Sequence, residues 1–467
     1  MIYTNSEVKD IRIAYIGGGS RGWAWNLMSD LALEKSLSGT VVLYDIDLKA
    51  ARSNEIIGNR IQEDYPEASE FTYMVAENLE EALLGADFVI ISILPGTFDE
   101  MESDVHWPEK YGIFQSVGDT TGPGGLIRAL RTLPIYEEFA KKIKDICPDA
   151  WVINYTNPMA LCMKTLYRVF PEIKAFGCCH EVFGTQKLLC TALEDIVGIE
   201  NVSREEIKTN VIGVNHFTWI TEAKYRKMDL FPIYKAFCEK YRTDGYVDPK
   251  EAENWLNKFF QYKQKIKMDL FLRYGYIAAA GDRHLAEFCP GKWYMGSPEQ
   301  VDDWGFGLTP VSWRKEAREN LLEKSRKLVS GETKFEIVPS GEEGVAQIKA
   351  LLGLSDLTTN VNLPNRGQIP NLPLGAIVET NARFTSDTVT PLFAGAMPEE
   401  ILGLTSRVIV NQLQIDNAVK ERDLELAFKA FVNDPLNYLD LETSRALFNE
   451  MIENTKDYIP EAFFINK

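Results

Sequence analysis

The chain has 467 residues, 45% of them hydrophobic and 25% charged, an ordinary globular balance with length enough for a large core in two lobes. Its formal net charge of −18 argues against nucleic acid or an anionic membrane as partner, because phosphates would be repelled. Seven cysteines without framework spacing, an amino terminus lacking basic and apolar leader regions, and no apolar run near membrane-span length predict free thiols and a cytoplasmic location.

The first strand is expected at Ile11–Ile16, a β-branched run that ends in glycines. A helix follows over Trp23–Glu34, then a strand at Val41–Tyr44 closing on Asp45, and a helix over Ala50–Glu63. Phe71–Val75 and Phe88–Ile93 read as strands with a helix between them. A helix over Leu126–Ile146 precedes strands at Trp151–Tyr155 and Ile173–Cys178. Strands alternating with helices indicate an α/β, Rossmann-type, doubly wound parallel sheet. From Lys208 to Trp219 and from Thr221 to Tyr225 the pattern alternates as antiparallel strands do. Glu251–Tyr274 reads as a long helix, Ser340–Thr390 as irregular or short-stranded, and Pro398–Phe431 as strongly helical. The expected division is a nucleotide-binding domain over 1–200 and an α+β domain over 201–467, an architecture like that of lactate and malate dehydrogenases, with the active site between them. The apolar carboxy-terminal helices suit a homodimer or homotetramer.

Gly17-Gly18-Gly19-Ser20-Arg21-Gly22 follows a strand and opens a helix. Gly17, Gly19 and Gly22 allow a tight turn and close backbone approach to a pyrophosphate at a helix amino terminus, and Asp45 at the end of the next strand can accept from ribose hydroxyls. The acid favours NAD over NADP, with Arg21 the one group that pulls the other way. Ser92 to Pro95 ends the fourth strand, beside the expected cofactor crevice.

The chain has four histidines, and two of them stand in Cys179-His180 and Asn215-His216. A thiolate at Cys179 and a neutral imidazole at His216 are borderline-soft ligands for Mn, Fe, Co, Ni or Zn, and two protein ligands leave an open site. The alternative is a core thiol and a satisfied strand histidine. Asn157, before Pro158, belongs at the carboxyl end of the sheet, where ligands bind. Asp282-Arg283-His284 after Gly281 gathers a base, a guanidinium and an imidazole, or is simply a solvated turn. Ser116 to Gly125, with Asp119 and four glycines, is expected as a mobile loop over the site.

These residues together resemble glycoside hydrolase family 4, the NAD- and divalent-metal-dependent glycosidases. The matches run from Ile11 to Ser20 through Asn157-Pro158 and Cys179-His180-Glu181-Val182 to Gly213-Val214-Asn215-His216, and more weakly through Tyr274-Gly275 and Gly281-Asp282 to the carboxy-terminal helices. The Cys-His-Glu-Val form is similar to that of α-galacturonidases; α-glucuronidase or neutral α-galactosidase and α-glucosidase specificity is the nearest alternative. A lactate/malate-type dehydrogenase, which would consume NAD as it turned over, is the alternative class. The resemblance implies a route outside the usual two-carboxylate mechanism. The sugar is oxidised at C3 with NAD⁺, a metal such as Mn²⁺ polarises the ketone, a base removes the C2 proton, and the C1–O bond breaks by elimination. Water then adds and the hydride returns, with no net oxidation. It further implies Cys179 and His216 as metal ligands and His180 as the acid assisting the leaving group. Asn157, Glu181 and Asn215 become substrate contacts. The base is Asp282, with Tyr276 second and Asp269 third. Arg283 and His284 would meet the carboxylate of a uronide substrate.

Overall fold

The structure is a computed structural model that describes residues 1–248, 262–308 and 310–465. Its main sheet begins with a short hairpin of β1 (Ile2–Tyr3) on β2 (Val8–Ile16). The parallel strands that follow are β3 (Leu37–Tyr44), β4 (Phe71–Val75), β5 (Phe88–Ile91), β6 (Trp151–Asn154) and β7 (Lys174–Gly177). They pair in the order β4-β3-β2-β5-β6-β7. That is the Rossmann order, whose direction reverses between β2 and β5 and opens a crevice at the carboxyl ends of those strands. The central strands are near-continuous apolar runs because both faces are covered: β5 is buried at every position.

Helices α1 (Trp23–Leu33) and α2 (Leu48–Asp64) cover one face, and α3 (Leu79–Leu83), α5 (Gly122–Ile146) and α6 (Met159–Val169) pack on the other, with α4 (Phe98–His106) against α5. The carboxy-terminal helices Glu399–Glu421 and Leu424–Asn433 pack on α5 and α6, so Leu130, Leu161, Ile409 and Phe431 share one core. The helical run expected over Pro398–Phe431 is thus two helices, parted where Arg422 takes a left-handed φ of 53°.

The segment Ser340–Thr390, expected to be irregular or short-stranded, is stranded and regular. It forms a helix, Gly344–Leu351, and three strands, β12 (Leu357–Pro364), β13 (Ile377–Thr385) and β14 (Thr388–Pro391). These continue the main sheet beyond β7 in antiparallel pairing, through Asn362 opposite Gly177. Residues beyond 200 therefore return to the first sheet. The asparagines that suggested turns, Asn360 and Asn362, are buried strand residues whose amides donate across the strand ends.

A second sheet is built by β8 (Ile207–Val214), β9 (Phe217–Tyr225), β10 (Met228–Asp229) and β11 (Ile277–Ala278). The alternation over Lys208–Trp219 contains a turn, at Asn215-His216, where His216 has φ 63°. Of the long helix expected over Glu251–Tyr274, Lys265–Tyr274 is helical and 249–261 lie outside the described residues.

One buried side chain holds the first loop. Asn54 of α2 donates to the carbonyls of Gly18 and Ser20 at 2.8 and 2.9 Å and accepts from Trp25 Nε1 at 2.8 Å. Asn54→Ala strands three polar groups in the core, so the protein should lose on the order of 3 kcal/mol. An unchanged urea midpoint would show that the loop carbonyls find other donors.

Candidate active site

The crevice is shaped by contact. Gly17 has φ 97°, and a Cβ there would lie 1.9 Å from the Ser92 carbonyl oxygen, so only glycine lets β2 and β5 approach this closely. Gly19 donates its N–H to Asp45 Oδ2 at 2.9 Å, and Asp47 donates to Oδ1 at 2.9 Å. Burial lifts the Asp45 carboxyl above its usual range, while Arg21 pulls it back. Ser20 Oγ accepts from Trp23 N–H at the start of α1, and Gly22 is exposed at that end. Pro95 turns its carbonyl to Arg131 Nε, and Arg131 forms a buried, two-pronged pair with Asp104 of α4. The glycine turn thus leads into a helix amino terminus beside an acid.

Cys179 and His180 end the turn after β7, and His180 caps α7 (Glu181–Val197). Asn215 and His216 form the β8–β9 turn. The two turns meet: the Asn215 amide reaches the Cys179 thiol. Burial and the nearby Glu379 and Glu181 push that thiol well up, so thiolate character there requires a cation.

A third segment completes the corner. Thr120 Oγ1 donates to Asp119 Oδ1 at 2.6 Å and lies 3.0 Å from His216 Nδ1. The hydroxyl has one proton. With that proton on Asp119, His216 Nδ1 must donate, leaving the Nε2 lone pair for a cation. His284 stacks on His216 with centroids 3.7 Å apart. Asp119, His216 and His284 present ligand atoms within 4.8 Å of one another. Burial drives His216 down to about 3, so it is a neutral ligand at ordinary pH. Against burial, Arg128, His216 and His284 hold Asp119 below the usual carboxylate range. Asn157 Nδ2 donates to Asp119 Oδ2 at 3.2 Å. Asn157 Oδ1 and His284 Nδ1 are buried and unpartnered within the protein, as expected of groups awaiting a polar ligand. This donor set fits a divalent cation.

His180 Nδ1 lies 2.8 Å from Glu342 Oε1, and that bond lifts the imidazole to about 9. Glu181 accepts from Gly281 N–H at 2.7 Å and stands 3.8 Å from His284 Nε2. Burial opposes its charge, but His284, His180 and His216 outweigh that and hold it down to about 2.

Four expectations change. Asp282 does not face the histidines: fully buried, its carboxylate accepts from the backbone N–H groups of Ile266 and Lys267 and caps the helix Lys265–Tyr274. Burial lifts it to about 6. Asp269 is bound to Arg273 and Tyr294, and Tyr276 packs half-buried on the main core. Arg283 is no solvated turn residue. It donates to the carbonyls of Gly307 and Ser116, stapling the helix Asp282–Phe288 to the segment before Asp119. That segment is accordingly not loose over the site. Glu287 accepts from Val117 and Gly118, and residues 122–125 form the first turn of α5, with Pro123 inside it. A Cβ at Gly124 would meet the Asp104 carbonyl oxygen at 2.6 Å, so these glycines serve packing rather than motion.

The sequence marked Asp119 and Thr120 only as loop residues and gave no sign of Glu342, Glu379 or Arg314. Arg314, on the helix Val311–Ser330, has charge interactions with Asp119, Arg128 and Arg283. Asp-Thr-Thr ahead of a glycine run was a usable signal for the first two; nothing local marks the others.

The family model described as family 4 glycosyl hydrolase matches residues 12–195, and that of the family's carboxy-terminal domain matches 211–437. The chain belongs to glycosyl hydrolase family 4. An alpha-galacturonidase of Thermoanaerobacterium saccharolyticum is 61% identical over 459 residues, covering 98% of each chain. An alpha-galacturonidase of Bacillus subtilis is 51% identical over 448 residues, 96% of this chain and 98% of its own length. A crystal structure of a Bacillus subtilis protein named as a glucosidase superposes with a TM-score of 0.90 at 51% identity, over 95% of this chain and all of that one. A Thermotoga maritima 6-phospho-beta glucosidase solved with manganese and NAD⁺ shares the fold, with a TM-score of 0.76 at 23% identity over 96% and 99% of the two chains.

Glu287 gives a pH test. Burial lifts its carboxyl from 4.5 to about 8. Between those values the folded chain binds the extra proton, so this group's stabilisation is lost as pH rises. Tm should fall over that interval, and less so in Glu287→Gln. Parallel Tm profiles in the two proteins would show that Glu287 titrates alike folded and unfolded.

Proposed function

We propose that this chain is an α-galacturonidase that works by transient oxidation of its sugar, using NAD and a divalent cation such as Mn²⁺. The observation that carries this reading is the approach of the Cys179 turn to the Asn215-His216 turn, through the Asn215 amide, at the carboxyl edge of a dinucleotide-binding sheet. Relatives at 51–61% identity that carry the name alpha-galacturonidase support the substrate. The Gly17–Gly22 turn, Asp45 and the Ser92–Pro95 strand end would hold the coenzyme; Cys179 and His216 would hold the cation, with Asp119 and His284 beside them. Bound together, the two groups supply a reversible oxidation at C3 and an acidified C2–H.

The protein's own groups then have defined tasks. His180, protonated at neutral pH through Glu342, offers its Nε2 proton to the departing glycosidic oxygen. The Asn157 Oδ1, without a protein partner, accepts from a sugar hydroxyl. Asp119 and Glu181 are the carboxylates that face the histidines, whereas Asp282 secures a helix. The buried, reduced thiols suit a cytoplasmic setting.

An anionic substrate needs local positive charge in a protein of net charge −18. Arg128, Arg283 and Arg314 surround Asp119 with an excess of it. Arg314, half-buried and in charge interaction with Asp119, is the group we assign to the uronate carboxylate.

In deuterated water the released sugar should carry deuterium at C2, and NAD⁺ should be needed only in catalytic amount. A product with protium at C2 by NMR would rule the elimination route out. Arg314→Ala should lower kcat/KM on an aryl α-galacturonide by about 10-fold or more, the effect of roughly 1.4 kcal/mol, and leave an aryl α-galactoside nearly unaffected. Equal losses on both substrates would remove Arg314 from carboxylate recognition.

A further inference from the structure

Glu379 lies on β13, and its carboxylate is fully buried at the end of the main sheet, beneath Cys179. Asn360 Nδ2 donates to its Oε1 at 2.7 Å and Asn215 Nδ2 to its Oε2 at 3.3 Å. Asn362, directly opposite on β12, is a third amide partner. Asn360 Nδ2 also reaches the Cys179 carbonyl at 3.3 Å. No Lys, Arg or His pairs with Glu379 among the described residues. A buried carboxylate with amides alone is a costly arrangement unless something else supplies positive charge.

Two features say what supplies it. Asn215 is held with one end on Glu379 and toward the Cys179 thiol, and its Oδ1 is buried without a protein partner. The next residue, His216, takes a left-handed backbone conformation that sets the direction of its ring. Glu379 therefore grips the residue that joins the two proposed ligands. A cation held at Cys179 would offset the buried Glu379 carboxylate in this low-dielectric corner.

We propose that Glu379 is a positioning residue for the metal. It locks Asn215, and with it the approach of the two ligand-bearing turns, and its carboxylate offsets part of the ion's charge without touching it. The inference rests on the reading that Cys179 and His216 hold the cation. In Glu379→Gln only one of the Asn360 and Asn215 amides can keep its acceptor, and the negative charge is gone.

The test is a Mn²⁺ titration of the full chain with NAD⁺ present, read by the EPR signal of free Mn²⁺, together with the Tm before and after Mn²⁺ addition. Wild type should bind, and Cys179→Ser should bind far more weakly. Glu379→Gln should lose about 10- to 100-fold in Mn²⁺ affinity while its metal-free Tm stays at or above the wild-type value, since a purely structural role would lower that Tm and spare the affinity. Glu379→Asp, which keeps the charge but withdraws it, should fall between the two and is read in the same way if the Gln variant does not fold. Wild-type affinity in both variants overturns the proposal alone. Wild-type protein that binds no Mn²⁺, or Cys179→Ser that binds like wild type, overturns the metal reading and the proposal with it.

Discussion

Everything at this site depends on two backbone turns meeting. One follows β7 and delivers Cys179; the other joins β8 to β9 and delivers His216. They belong to different sheets, so neither sheet's hydrogen bonding fixes their separation. The contact is made by polar side chains in a dry place: Asn215 against Cys179, and Asn360 and Asn215 against Glu379. A half-satisfied network of this kind would cost more than an apolar plug of equal volume. Its presence in a buried corner is a reason to read it as machinery rather than packing.

The same dryness sets the electrostatics. His216 is driven neutral by burial, and its tautomer follows from a single hydroxyl proton shared out between Thr120, Asp119 and the ring. His180, a few residues away in space, is protonated because Glu342 sits on its other nitrogen. Two neighbouring imidazoles, one buried and one exposed, thereby take opposite charge states, one suited to binding a cation and one to giving up a proton. The distinction comes from their partners and could not come from residue type.

The first six parallel strands were legible because each is a short apolar run punctuated by glycine, proline or an acid, and parallel strands covered on both faces have no other pattern to follow. Cys179 and His216 stood out because histidine is scarce in this chain. The segment 340–390 stayed open between irregular and short-stranded because Asn360 and Asn362 look like turn residues until one sees that their amides are spent on Glu379 and Gly177. Asp282 looked like a base because it follows a glycine and precedes an arginine and a histidine. In space it serves the amino terminus of a helix whose start, Lys265, lies 17 positions earlier in the chain. Helix capping by a residue from another element leaves no mark in local sequence.

Arg283 carries the point furthest. A guanidinium beside an imidazole in an acidic protein suggests an anion site, and anion recognition does belong to this wall. Yet its own donors are engaged by two backbone carbonyls, and that is what keeps Ser116 to Asp119 in place against His216. A long, planar, always-charged side chain can serve as well by ordering a loop as by meeting a ligand. The staple leaves its charge in place, so the field near Asp119 comes from Arg283 together with Arg128 and Arg314. Specificity for an anionic sugar then depends on a helix, Val311–Ser330, that supplies none of the groups proposed for the chemistry itself.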